Sequence, residues 1–222
     1  MGQNNENIMR ALRDRAPLPS LLDLGCDDGE RTLLWAQAAQ ARDIHGVEVV
    51  PSRAALAEQR GINVATADLA GAFPFEDRSF DAVVSNQVIE HLFDTDLFLA
   101  EAFRVLKPGG AVVTSTENLA SWHNVGALLL GWQPFSLTNV SEKGAIGNPF
   151  GIWADGDGSG APDPVTWQHR RVFAARGLLA LHGAHGFEAL ELLGAGYYPL
   201  PRRVAEWNPA HAAFISVTGR RP

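Results

Sequence analysis

The chain has a single cysteine, Cys26, so no disulfide can form within it, and the fold must rest on a hydrophobic core. A reducing, cytoplasmic setting is the expectation that follows. Long apolar runs are also missing. A membrane-spanning helix needs roughly 20 uninterrupted apolar residues, and Ala127-Leu128-Leu129-Leu130 falls far short. The polar opening Met1–Asn7 lacks the apolar core of a secretory leader. Its Met-Gly start carries Glu6 where a myristoylation signal needs Ser or Thr. Positive charge is in deficit, with 18 Lys and Arg against 25 Asp and Glu and a net charge of −7. That balance argues against a general polyanion-binding surface, and no nucleic-acid partner is expected. The pairs Arg170-Arg171, Arg202-Arg203 and Arg220-Arg221 read as solvated faces. Neither an internal repeat nor a low-complexity tract is present.

What remains is 222 residues, 46% of them hydrophobic, enough for one domain with a full core over 1–222. Strand and helix patterns alternate along it. A helix is expected over 6–15, ended before Pro17 and Pro19. Strands follow at Ser20–Leu24, Ile44–Val50, Asn63–Ala67, Phe80–Asn86 and Ala111–Thr116. Between them, helical patterns cover Glu30–Ala41, Pro51–Arg60 and Leu97–Leu106. The last stops at the breaker Lys107-Pro108-Gly109-Gly110. Such alternation predicts right-handed crossovers and a largely parallel sheet. From Asn118 to about Thr166 the alternation is lost, and four of the six tryptophans fall in Trp122–Trp167. A segment this long reads as a lid or binding insertion. Regularity returns with a helix over Ala174–His182 and strands over Glu188–Leu193 and Ala212–Thr218.

The richest chemistry lies in Leu21-Leu22-Asp23-Leu24-Gly25-Cys26-Asp27-Asp28-Gly29-Glu30, which reads as strand, tight turn and helix. That element places a nucleotide-like ligand at the open end of a parallel sheet. Gly25 and Gly29 permit close backbone approach there. The later strands end in polar residues at the same edge: Glu48, Asp68 and Asn86-Gln87. An acid such as Glu48 can accept from both hydroxyls of a ribose, and Asp68 from an exocyclic amine. The ligand is then an adenosine carrying a further group. A dinucleotide calls for three glycines facing a pyrophosphate. Here the spacing is Gly25-x-x-x-Gly29, and Asp27-Asp28 would repel phosphate. The cationic S-adenosylmethionine suits these acids better.

Four runs together carry a family resemblance. Asp23–Gly29 resembles the first motif of class I S-adenosylmethionine-dependent methyltransferases, and Phe80–Leu92 is similar to their fourth-strand motif. Leu106–Gly110 resembles the turn before their fifth strand, and Phe214–Pro222 their last strand. The type-11 branch and proteins like the methionine-biosynthesis protein MetW are the nearest likeness. The resemblance implies an α/β, Rossmann-like three-layer sandwich with a mostly parallel seven-stranded sheet. Its strand order would be 3-2-1-4-5-7-6, with strand 7 antiparallel and the aromatic insertion (118–166) after strand 5. It further implies that Asp23, Gly25, Cys26 and Gly29 shape the methionine pocket. Glu48 and Val49 would meet the ribose, Asp68 and Leu69 the adenine, and Asn86 and Gln87 the sulfonium. The family usually has glycine where this chain has Asp27, a departure that asks for an unusual backbone angle.

The resemblance implies methyl transfer to an oxygen or nitrogen of a small-molecule acceptor in biosynthesis or secondary metabolism, a saccharide among the options. The product is S-adenosylhomocysteine. A MetW-like partner protein that binds S-adenosylmethionine and regulates a biosynthetic enzyme is the alternative. The glycine spacing counts against a nicotinamide-dependent reductase. His91, His123 and His169 are candidate bases, each weighed against a structural role. Trp122, Trp132, Phe135, Trp153, Trp167 and Tyr197 are candidate walls of the acceptor pocket, weighed against forming the insertion's own core. Cys26 reads as a small buried turn residue rather than a nucleophile. Asp155–Gly160 imitates a calcium loop, but Thr166 stands where the closing Glu belongs. No metal is expected, because a sulfonium methyl is already activated.

Overall fold

The structure is a computed structural model and describes residues 2–141, 145–151, 168–197 and 200–222. Its elements run α1 (Gly2–Arg13), β1 (Ser20–Leu24), α2 (Glu30–Ala39), β2 (Asp43–Glu48), α3 (Pro51–Gln59), β3 (Asn63–Thr66) and β4 (Phe80–Asn86). They continue with α4 (Thr95–Val105), β5 (Leu106–Glu117), α5 (Trp122–Leu129), α6 (Ala175–Ala184), β6 (Glu188–Ala195), α7 (Arg202–Trp207) and β7 (Phe214–Arg220). The strands form one sheet in the order β3-β2-β1-β4-β5-β7-β6. β7 lies antiparallel to both of its neighbours, and the remaining pairs are parallel. Among the described residues no helix is long and apolar enough to cross a membrane.

The period-two geometry of a strand sends alternate residues to opposite faces, and the core divides accordingly. Leu22, Val83 and Val112 pack with Phe98 and Leu99 of α4 and Leu178 of α6. Their neighbours Leu21, Ala82, Val84, Ala111 and Val113 pack with Ile8 and Leu12 of α1 and Trp35 of α2. β1 is buried along its whole length, which explains its apolar character apart from Ser20 and Asp23. Local signals set the helix starts. Asp94 accepts from the Leu97 amide at 2.8 Å and caps α4, and Pro51 opens α3.

The differences from the sequence reading have local causes. α1 begins at Gly2 rather than residue 6, because the buried amides of Asn4 and Asn7 find partners in the sheet. The Asn4 amide donates to Asn86 Oδ1 at 2.8 Å, and Asn7 donates to the Gly194 carbonyl at 2.9 Å. The Lys107–Gly110 breaker does end α4, yet β5 begins at Leu106, which pairs with Phe80 ahead of a register shift. The final strand reaches Arg220, which pairs with both Ala111 and Glu188. The insertion contains the helix α5, and α7 is a six-residue helix with no sequence signal.

His182 is fully buried on α6, its Nδ1 donating to the Leu178 carbonyl (2.8 Å) and its Nε2 meeting the Thr114 hydroxyl (2.9 Å). Burial pushes its pKa down to about 4. An unfolded histidine titrates near 6.5, so the unfolded chain takes up the proton first as pH falls. Stability from this group is therefore complete above about 6.5 and is lost as pH drops towards about 4. Urea denaturation at about pH 7 and about pH 4.5 should show wild type losing up to roughly 3 kcal/mol relative to His182→Asn.

Candidate active site

β1 ends in a turn with left-handed backbone at Gly25 (φ +83), Asp27 (φ +50) and Gly29 (φ +83). The amides of Gly25 and Cys26 both donate to the Val47 carbonyl, at 2.9 and 3.0 Å, which ties the turn to β2. A side chain at Gly25 would put a Cβ 2.5 Å from Val88 Cγ2. The same addition at Gly46 would meet Cys26 Sγ at 2.5 Å, so Cys26 fills a space where only a small residue fits. Burial, then the charges of Asp23 and Glu48, push the Cys26 thiol up to about 12, which leaves it protonated and unreactive.

Beside the turn lies a cleft of about 220 Å³ lined by Asp23, Gly25, Asp27, Trp35, Arg53 and Asn86, among others. Asp23 is buried at its floor. Thr32 donates to its Oδ2 at 2.6 Å, while Oδ1 has no partner among the described residues. Burial, helped by the nearby Glu48 charge and opposed by Thr32, raises the Asp23 carboxyl to about 7. Trp35 Nε1 is likewise buried without an acceptor. The cleft thus holds both an unsatisfied acceptor and an unsatisfied donor. Such atoms are rare in native proteins and mark a place where a bound molecule completes the hydrogen bonding.

Glu48 takes the Asp27 amide on Oε2 (3.0 Å) and the Val50 amide on Oε1 (2.8 Å). These bonds fix the carboxylate at the end of β2, and each oxygen keeps a lone pair. Asp27 forms a two-point contact with Arg53 of α3, Oδ1 to Nε at 2.6 Å and Oδ2 to the guanidinium at 3.3 Å. The acid that replaces the usual glycine adopts the left-handed angle expected of it and has a cation of its own. Asp68 is exposed at the end of β3, its carboxylate turned back to the Ala70 amide at 2.8 Å, with Leu69 buried behind it. Asn86 Oδ1 is held by Asn4, and Gln87 (φ +60) donates its amide to the Ser115 carbonyl at 2.8 Å.

Next to this cleft, residues 168–173 return from the insertion and dock on the turn after β4. The Arg170 and Arg171 amides donate to the Glu90 carbonyl at 2.8 and 3.1 Å. The Arg171 guanidinium holds the Phe93 carbonyl at 2.6 Å, and Arg170 lies over the Phe93 ring at 3.9 Å. This docking brings His169 onto His91, with ring centroids 5.0 Å apart and edge to face. Burial, then the neighbouring His169, holds His91 down at about 4. Glu90 is buried beneath them. Its carboxyl is raised to about 8 by burial first, an effect that its own backbone amide and then the Thr116 hydroxyl only partly offset.

Comparison with known proteins decides the family. Residues 22–114 match the model of a methyltransferase domain. Over that stretch the chain matches the S-adenosylmethionine-dependent methyltransferase domains of the type-11 family. It is 35% identical over 118 residues to a protein of Mycolicibacterium smegmatis named "Probable S-adenosylmethionine-dependent methyltransferase", covering 52% of this chain and 45% of that one. It is 33% identical over 120 residues to the malonyl-[acyl-carrier protein] O-methyltransferase of Erwinia billingiae, covering 53% and 45%. The chain thus spans under half the length of these curated relatives. A solved structure from Thermotoga maritima, titled as a methyltransferase and possible histamine N-methyltransferase, superposes with a TM-score of 0.64. That match covers 99% of this chain and 90% of the other at 19% identity, a likeness of fold.

Within this methyltransferase domain, the sequence-derived candidates fall into three groups. Asp23, Gly25, Cys26 and Asn86 line the cleft, and Glu48 joins its turn. Val49 is exposed beside Glu48. His91 and His169 meet, whereas His123 packs instead against Phe135 (5.4 Å between centroids), its Nε2 3.2 Å from Ser121 Oγ. Trp122 is exposed beside His123, and Trp132 packs against the exposed Phe150 at 5.6 Å. Tyr197 is buried with Ala205 and Ala212, on the side of the sheet edge closed by α7. Trp153, Trp167 and the Asp155–Gly160 run lie outside the described residues. Sequence reasoning missed Arg53, Trp35, Asn4 and Glu117, whose Oε2 lies 3.6 Å from His169 Nδ1. Only Trp35, a buried ring next to the glycine turn, carried a signal that could have found it.

The glycine turn yields a direct stability test. A Cβ at Gly29 would lie 2.5 Å from Ile62 Cδ1 and 3.1 Å from Ala57 Cα, whereas Gly61 shares a positive φ but has nothing within 4 Å. Gly61→Ala should cost only the backbone strain, about 1 kcal/mol, and Gly29→Ala roughly 1–3 kcal/mol more. Urea midpoints of the two variants against wild type measure the difference. Equal losses would mean that α3 yields to the new methyl without cost.

Proposed function

We propose that the cleft binds S-adenosylmethionine and that the domain transfers its methyl group to an oxygen or nitrogen of a small-molecule acceptor. The observation that carries this reading is the unpartnered Asp23 Oδ1 in the cleft floor. A cationic amino group is the partner that a buried carboxylate lacks, and an amino-acid moiety also brings a carboxylate within reach of Trp35 Nε1 and Arg31. The same acids would repel a pyrophosphate, so a dinucleotide fits poorly. Glu48 is held ready for ribose hydroxyls, and Leu69 and Asp68 for the adenine.

S-adenosylmethionine supplies an electrophilic methyl on sulfonium sulfur. The chain's own residues bind, orient and exclude water, which is the main catalytic task once the leaving group is activated. Asn86 and Gln87 stand between the cleft and the turn that carries Glu90 and His91, so the acceptor would enter from that side. The insertion supports this placement, since its return segment docks on Glu90 and Phe93 and adds His169 to the wall. The relatives' printed names include transfer to oxygen and to nitrogen, and both remain within the proposal.

Calorimetry with S-adenosylmethionine and S-adenosylhomocysteine tests the reading, and absence of binding at millimolar ligand would overturn it. A pH signature should accompany binding. The Asp23 carboxyl of the free protein sits near 7, and an ammonium partner favours its ionised form. Binding should therefore release a proton near neutral pH, and affinity should fall by up to about tenfold per pH unit below 7. Titration in two buffers of different ionisation heat measures the proton release. Asp23→Asn should bind more weakly and lose that release.

A further inference from the structure

Methyl transfer from a sulfonium explains the cleft but leaves the Glu90, His91 and His169 cluster unexplained. One donor atom of each of these residues lies within 4.8 Å of the others. Glu90 is buried, and neither carboxylate oxygen has a hydrogen bond of ordinary geometry, the adjacent Thr116 hydroxyl included. A buried acid with two free oxygens is costly, so the fold retains it for a partner that supplies positive charge.

Contacts through Nδ1 hold both imidazoles in place. His169 Nδ1 lies 2.7 Å from the Ser136 carbonyl, with Glu117 Oε2 at 3.6 Å, and His91 Nδ1 lies 3.3 Å from the Gln168 carbonyl. A carbonyl oxygen only accepts, so Nδ1 carries the hydrogen in both rings and Nε2 keeps the lone pair. An Nδ1–H held by a carbonyl or carboxylate is the usual outer support of a metal-bound histidine. Glu90 and His91 stand on the turn after β4, and the two amide bonds from Arg170 and Arg171 to the Glu90 carbonyl fix His169 against them.

We propose that Glu90, His91 and His169 form a binding site for a divalent transition-metal cation. Two imidazoles and one carboxylate suit zinc, cobalt, iron or nickel, and are a poor set for magnesium or calcium, which favour all-oxygen shells. Neighbouring donors around such a cation stand roughly 3–4 Å apart, so a small side-chain rotation closes the set. Three protein ligands leave a position open. On the methyl-transfer reading, on which this last step rests, that position takes an acceptor hydroxyl. The cation lowers its pKa and its proton passes to solvent, so the acceptor class is one that presents an alcohol, phenol or enol oxygen.

Chelator-treated protein titrated with cobalt(II) tests the site without any turnover. One ion per chain should bind at micromolar concentration with visible d–d bands, and zinc should displace it. His169→Ala and Glu90→Gln should weaken binding by tenfold or more. His185→Ala, which removes a part-buried histidine paired with the exposed Asp96 at 2.9 Å, should leave it unchanged. Calorimetry with S-adenosylmethionine on the same samples confirms that each variant is folded. His169→Ala, outside the sheet, carries the test if Glu90→Gln does not fold. Absence of cobalt bands in wild type, or unaltered affinity in His169→Ala, overturns the cation site. Retained S-adenosylmethionine binding in that case leaves the methyltransferase reading standing, and its loss with intact cobalt binding would do the reverse.

Discussion

The ligand edge of the sheet depends on one constraint, a chain reversal between Leu24 and Glu30 that needs left-handed backbone at three of its five residues. Positive φ at Gly25, Asp27 and Gly29 lets β1 deliver Asp23 to the edge and start α2 within five residues. Ala57 and Ile62 approach Gly29 so closely that α3 and the segment after it take their places from that glycine. The turn's amides then fix it to Val47, and Glu48 fixes it again through the Asp27 amide. A single flexible-looking heptapeptide thus locates two strands and two helices relative to one buried carboxylate.

Polar atoms are not spread evenly over this architecture. At the end of the strands opposite the ligand edge, Lys107, Ser20 and Asp81 satisfy one another. Around the cleft and the β4 turn the pattern inverts. Asp23 Oδ1, Trp35 Nε1, Gln87 Nε2 and both oxygens of Glu90 lack partners among the described residues. Native folds tolerate such omissions where another molecule completes the set. The unpaired atoms also carry the displaced titrations, with Asp23 raised to about 7 and Glu90 to about 8.

How much of this was legible in the sequence follows from the range of the interactions involved. β1 and β4 lie where their apolar runs predict, because a strand buried on both faces writes its burial into every residue. The sheet order agreed with the family resemblance, which encodes crossovers that no local pattern shows. The Asp27 angle was legible because it is a property of one residue among glycines. The Arg53 contact that neutralises it was not, because it joins the glycine turn to α3 through side chains. The convergence of His91 and His169 spans the whole insertion and depends on backbone bonds from Arg170 and Arg171, so spacing alone held no trace of it. α1 was legible as a helix but not in its extent, since its first turn is held by amide side chains reaching into the sheet.

The insertion leaves and rejoins the sheet at nearly the same point. Asn118 bridges Phe173 in parallel, and the Leu119 amide donates to the Phe173 carbonyl at 3.0 Å. Asn118 also clamps the Ala210 and Ala212 carbonyls with its side-chain amide at 2.9 and 2.8 Å. A loop with its two ends clasped in this way can be lengthened, shortened or exchanged without disturbing the strands beneath. The insertion can therefore diversify in isolation, while the glycine turn and its acid stay under the stricter steric rule of the sheet. On the proposed reading of the insertion as an acceptor wall, grafting one from another member of the family between Asn118 and Phe173 is a route to new acceptors.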